Sequence, residues 1–156
     1  MNNKRRSFIK SSAAAGAFGV AVSAGLVTPR AVMAAWPKAA FEATDLDTAV
    51  KGALGDGAMT DSSDIALKAP EIAENGAVVP ITVTSNIPNT ESISILIPEN
   101  PTPLTATFNL GSNTAGFVST RVKMSKTSDV VAVVKSGGKL YSTKLTVKVT
   151  IGGCGG

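Results

Sequence analysis

The chain has 156 residues, 44% of them hydrophobic and 4% aromatic, with one cysteine, no histidine, and 15 basic against 11 acidic groups for a formal charge of +4. With no imidazole and a single thiol, it offers no imidazole general base, no nucleophile–base pair and no Cys/His ligand set, so a self-sufficient enzyme or a structural metal domain is a poor reading. The basic pI of 9.4 belongs to residues 1–34, which hold Lys4, Arg5, Arg6, Lys10 and Arg30 and no acid; without them the chain is slightly acidic, and charge gives no support for nucleic-acid binding.

The first element in chain order is a targeting segment. Lys4-Arg5-Arg6-Ser7-Phe8-Ile9-Lys10 precedes a modestly apolar stretch, Ala13 to Val27, and a small-residue cleavage pattern at Val32-Met33-Ala34. This predicts a twin-arginine export signal over residues 1–34, cleaved on delivery to the periplasm. A membrane anchor fits less well, because the apolar stretch is short, rich in Ala and Gly, and closed by Pro29 and Arg30. No membrane association is expected once the signal is gone.

Residues 35–151 are enough for one domain with its own core. Its only expected helix lies within Trp36 to Gly57, where Leu46, Val50, Ala53 and Leu54 follow the capping candidate Asp45 and precede the stop at Gly55. Beyond it the period becomes two. Ile65-Leu67 is a short strand; Val79, Ile81 and Val83 alternate with polar residues, as do Ile93, Ile95 and Ile97, then Leu104, Ala106, Phe108 and Leu110, then Val118, Thr120, Val122 and Met124. Pro80 suggests an edge strand or a bulge, and Pro98, Pro101 and Pro103 a stiff connection. Asp129 to Lys135 is a continuous β-branched run, and Gly137-Gly138 turns it into a last strand, Lys139 to Ile151. About seven short strands with Pro- and Gly-rich turns predict an immunoglobulin-like antiparallel β-sandwich with a short N-terminal helical segment.

Two surface expectations follow. Strand Ser92 to Ile97 and the run Val130 to Val134 carry no charge. Edge strands normally carry such protection, so one of these two is expected to be covered by another subunit, through Leu96 or Val131, with burial in the chain's own core as the alternative. Residues 101–156 are also locally basic, with Asp129 as their one acid, and Arg121, Lys123, Lys144 and Lys148 could either dock an acidic partner or form an ordinary solvated face.

The last element is an arm, residues 152–156, Gly152-Gly153-Cys154-Gly155-Gly156. Glycine has no Cβ and samples both signs of φ, so these flanks leave the thiol on a narrow flexible thread. Structural disulfides need a second cysteine, which is absent; a prenylation signal needs the cysteine fourth from the end, and Cys154 is third. A frayed terminus, an intermolecular disulfide and a covalent carrier thiol remain, and the carrier suits the geometry best. Nothing in the glycines lowers the titration of the thiol, so activation is expected from whichever protein receives it.

Several stretches together resemble the SoxY family, the sulfur-carrier subunits of the periplasmic thiosulfate-oxidising (Sox) system. These are the twin-arginine start, Pro70-Glu71-Ile72-Ala73-Glu74-Asn75-Gly76-Ala77-Val78-Val79-Pro80, Asn100-Pro101-Thr102-Pro103-Leu104, Ser119-Thr120-Arg121-Val122-Lys123-Met124 and, most specifically, Val147-Lys148-Val149-Thr150-Ile151 followed by the Gly-Gly-Cys-Gly-Gly end. The resemblance implies that Cys154 carries thiosulfate-derived sulfur covalently, with Gly152, Gly153, Gly155 and Gly156 as its arm and no resident cofactor. It implies a SoxZ-like subunit as heterodimeric partner. It also implies transient contact with a c-type haem enzyme that conjugates thiosulfate, a manganese-dependent sulfohydrolase and, where present, a sulfur dehydrogenase. The alternative from another class is a periplasmic adhesion or assembly module whose terminal cysteine forms a disulfide with a partner.

Overall fold

A computed structural model describes residues 37–150. Residues 1–34, expected to be an export signal, and Cys154 with its four flanking glycines lie outside the described residues.

The expected helical stretch divides into two helices, α1 (Lys38–Glu42) and α2 (Leu46–Leu54). Asp45 is the reason. Its side chain accepts a hydrogen bond from the Thr48 amide at 2.8 Å, and that cap needs an extended backbone at Asp45 (φ −126°, ψ 154°), which takes the chain out of helix just before α2. The same hydrogen bond holds the Asp45 carboxyl below its ordinary range, because the amide dipole favours the charged form. Gly55, at φ 93°, ends the helix. The two helices pack closely at Gly52, where a Cβ would meet the Ala40 Cβ at 3.0 Å.

Nine strands follow among the described residues: β1 (Met59–Asp61), β2 (Ile65–Lys68), β3 (Ile72–Ala73), β4 (Val79–Ser85), β5 (Thr90–Leu96), β6 (Leu104–Asn109), β7 (Phe117–Val122), β8 (Ser128–Ser136) and β9 (Lys139–Val149). They form a six-stranded sheet, ordered β1-β9-β8-β5-β6 with β3 also on β9, and a three-stranded sheet, β2-β4-β7. The result is a β-sandwich of the expected immunoglobulin-like kind, with one departure: β1 and β3 both run parallel to β9, so pairing is not antiparallel throughout. Both are short strands reached from distant parts of the chain, which a period-two pattern cannot reveal.

The alternating residues do what their period requires. Val79, Ile81 and Val83 face Ile93, Ile95, Val130, Ala132 and Val134 in one inter-sheet core. A second core lies on the other face of the larger sheet, where Ala40, Ala49, Val50 and Leu54 of the helices cover Leu96, Leu104, Val133 and Leu140. The β8–β9 hairpin turns on Gly137 and Gly138, both at positive φ (56° and 73°), the backbone a type I′ turn requires.

This second core corrects the subunit-interface expectation. Strand β8 lies between β9 and β5, and β5 between β8 and β6, so neither is an edge. Leu96 is fully buried and Val131 packs against the same helix-side cluster. The stretches Ser92 to Ile97 and Val130 to Val134 lack charge because both faces of these strands are covered within this chain, the sandwich on one side and the helices on the other, as in a central strand.

Two local expectations are also refined. Leu104 does not share a face with Phe108: the register shifts between Ile95 and Leu96 on the neighbouring strand, and the bulge sends Leu104 to the helix side while Phe108 packs on the inter-sheet core. Pro80 sits on a central strand rather than an edge, but β2 pairs only with Thr82–Ser85, so at Pro80 the strand has one neighbour, Arg121 of β7, and the missing amide breaks no ladder.

Candidate functional site: the root of the C-terminal arm

The structure describes the strand that leads to the expected arm. Its root is the end of β9, where the backbone is held on both sides. On one side the Lys148 amide donates to the Glu71 carbonyl at 2.9 Å and the Thr150 amide to the Ala73 carbonyl at 3.1 Å, as part of the parallel β3 pairing. On the other, β8 begins only at Ser128, opposite Val147, and the side chain of Thr127 extends the ladder by accepting from the Val149 amide at 3.0 Å. The arm therefore starts from a fixed point at Thr150.

The turn Asn75–Val78 closes over this root. The Val78 amide donates to the Asn75 carbonyl at 3.3 Å, the Ala77 amide to the Asn75 side chain at 2.9 Å, and the Met124 amide to the Gly76 carbonyl at 2.7 Å. Gly76 is there because nothing larger fits: a Cβ would overlap the Met124 carbonyl oxygen and lie 2.9 Å from Val149 Cγ1. Sequence reasoning missed β3, Thr127 and this turn as parts of the site. The one available signal was the Asn75-Gly76 turn pair ahead of β4.

The four basic residues do not form one cluster by fold position. Arg121 is the last residue but one of β7 in the smaller sheet and Lys123 follows that strand, whereas Lys144 and Lys148 lie on β9 in the larger sheet. Lys144 is engaged by Asp129 at 3.8 Å. Around Lys148, the paired segment brings Glu71 and Glu74, so the rim of the root carries both signs. Among the described residues no group of His, Cys, Asp and Glu side chains could hold a metal ion, and no helix is long and apolar enough to cross a membrane. A cavity of about 390 Å³, lined by Asn89, Glu91, Leu110, Thr114 and Gly137 among others, lies at the opposite end of the sandwich, by the β8–β9 hairpin.

Comparison with known proteins bears on what such an arm serves. A family model described as "Sulfur oxidation protein SoxY" matches residues 50–154, from within α2 through the whole sandwich to the cysteine itself. The chain belongs to the SoxY family. A solved structure, that of the sulfur carrier protein SoxY from Chlorobium limicola f thiosulfatophilum, is similar at 46% identity and a TM-score of 0.63, over 69% of this chain and 97% of that one. A comparison with curated proteins returned no match. Because the SoxY match ends on Cys154, it includes Gly152 and Gly153, the link between the clamped end of β9 and the thiol.

Proposed function

We propose that this protein is a periplasmic sulfur carrier that holds thiosulfate-derived sulfur on Cys154 and presents it to other enzymes. The observation that supports the reading is that β9 is held through Thr150, and four residues later in the sequence stands the only cysteine, between glycines. Membership of the SoxY family supports sulfur as the cargo.

In the first step the Cys154 sulfur bonds to the outer sulfur of thiosulfate. The thiol proton is lost and an electron pair leaves to a c-type haem enzyme, giving a thiosulfonate adduct. Water then attacks the sulfonate sulfur in a manganese-dependent sulfohydrolase; the bond between the two cargo sulfurs breaks, sulfate leaves and a persulfide stays on Cys154. Where a sulfur dehydrogenase operates, it oxidises that remaining sulfur with water as the oxygen source. The protein's own part is covalent attachment and delivery, with no resident cofactor. Residues 1–34 act as a twin-arginine export signal, and a SoxZ-like subunit pairs with the sandwich 35–151 as a heterodimer.

Reconstitution tests this. Thiosulfate-dependent electron transfer to the haem enzyme should be abolished by Cys154→Ser and kept by a surface control such as Lys139→Ala. Turnover that survives Cys154→Ser would reject the carrier role.

A further inference from the structure

Four large apolar side chains are substantially exposed among the described residues: Met59 (36%), Ile72 (57%), Val78 (50%) and Phe117 (55%). Isolated exposed apolar residues need no explanation. Two of these, however, belong to the short segment that holds the end of β9. Ile72 is the register partner of Lys148, beside Ala73, whose carbonyl anchors Thr150. Val78 closes the turn whose Gly76 lies against Val149. Neither serves the core, since their neighbours Ala73 and Val79 are the ones buried there.

The length of the arm decides what must cover this rim. From the anchored Thr150 to Cys154 is four residues, a reach of at most about 14 Å when fully extended. A slot that encloses Cys154 together with Gly152 and Gly153 uses roughly 10 Å of that reach. The mouth of any such slot therefore comes to rest within a few ångströms of Thr150, against the residues around it. Charge offers no selection there, because Glu71, Glu74 and Lys148 bring both signs; the apolar side chains offer the adhesion.

We propose that Ile72 and Val78 form a docking rim on which an enzyme acting on Cys154 seats the apolar mouth of its slot. This rests on the carrier reading above. The rim serves successive enzymes in turn, so it stays small and its contact transient.

The test uses the full carrier with its partner subunit, the purified thiosulfate-conjugating haem enzyme and the double variant I72S/V78S. Both side chains point outward, so melting temperature and the rate of alkylation of Cys154 by iodoacetamide should match the parent. Enzyme-catalysed loading of Cys154, followed by intact mass, should fall about tenfold or more in kcat/KM, as expected for loss of the apolar centre of a small interface. Parent-like loading by the double variant overturns the rim while leaving the carrier reading intact. Loss of the partner subunit from the variant on size-exclusion chromatography assigns the patch to subunit pairing and overturns it as well. Absence of loading in the parent overturns both readings together.

Discussion

The amide of Thr150 donates to the carbonyl of Ala73 at 3.1 Å, across a parallel pair of strands separated by more than seventy residues of chain. That bond holds the last described residue ahead of the proposed thread to Cys154. A carrier needs both a body that stays folded while its thiol is handled and a thread free to enter other proteins, and a sharp boundary lets each be changed without the other.

The boundary can be loosened. Thr127→Val removes the side-chain acceptor of the Val149 amide, an exposed hydrogen bond, and should cost about 1 kcal/mol or less. Amide exchange should quicken at Val149 and neighbouring residues, while exchange in β8 and β5 stays at the parent rate. Thr127→Ser should restore protection; equal protection in the valine variant would contradict the role given to Thr127.

Gly76→Ala should act more strongly. The added methyl overlaps the Met124 carbonyl oxygen and crowds Val149 Cγ1, so the turn must shift, at a cost of about 1–3 kcal/mol. A clear fall in melting temperature is expected. An unchanged melt for Gly76→Ala would contradict the close packing at the root.

Leu96 discriminates core from interface. It is fully buried beneath the helices, so Leu96→Ala should cost about 2–5 kcal/mol and Leu96→Lys should abolish the fold. Thr146→Lys, on the exposed side of β9, removes only an exposed hydrogen bond to the Asp129 carboxylate and should change stability by about 1 kcal/mol or less. A folded Leu96→Lys that has merely lost its partner on size-exclusion chromatography would contradict this arrangement.

These same strands show how far the sequence can be read. The Asp45 cap, the Gly55 stop, the inward sets Val79/Ile81/Val83 and Ile93/Ile95/Ile97, and the Gly137-Gly138 hairpin were all legible, because each depends on chemistry within a few residues. What covers an apolar strand was not. A central strand buried by its own helices and an edge strand buried by another subunit have the same uncharged pattern, and only the topology separates them for Leu96 and Val131. The proposed thiol thread is read from Cys154 and its glycines in the sequence. Its clamp was hidden because Ala73, Gly76 and Thr127 come from separate parts of the chain, and β3 is only two residues long.

Helix α2 carries a pH signature. The Asp45 carboxyl titrates below its ordinary range because it accepts from the Thr48 amide, so its capping contribution is present above the unfolded-state value and is lost as pH falls through the lowered folded-state value. Asp45→Ala should therefore lower the melting temperature at pH 7, and the gap from the parent should narrow as the solution is taken to pH 3 and below. A gap constant over that range would mean that the carboxylate form contributes nothing.

Thread width is testable apart from stability. Gly153→Val adds a β-branched side chain beside Cys154, outside the sandwich, and should leave the melting temperature unchanged while reducing thiosulfate-dependent turnover, through bulk in the slot and lost backbone freedom. Undiminished turnover would show that the receiving sites do not require a glycine thread.

The central claim, that Cys154 carries sulfur covalently, is tested most directly on the protein's own last peptide. Trypsin cleavage after Lys148 releases Val149 to Gly156 with the cysteine inside it. In protein purified without reductant from cells oxidising thiosulfate, the mass of this peptide should show a thiosulfonate or persulfide on Cys154, removable by reductant. A peptide found only as the free thiol, or only in a stable disulfide with another protein, would contradict it.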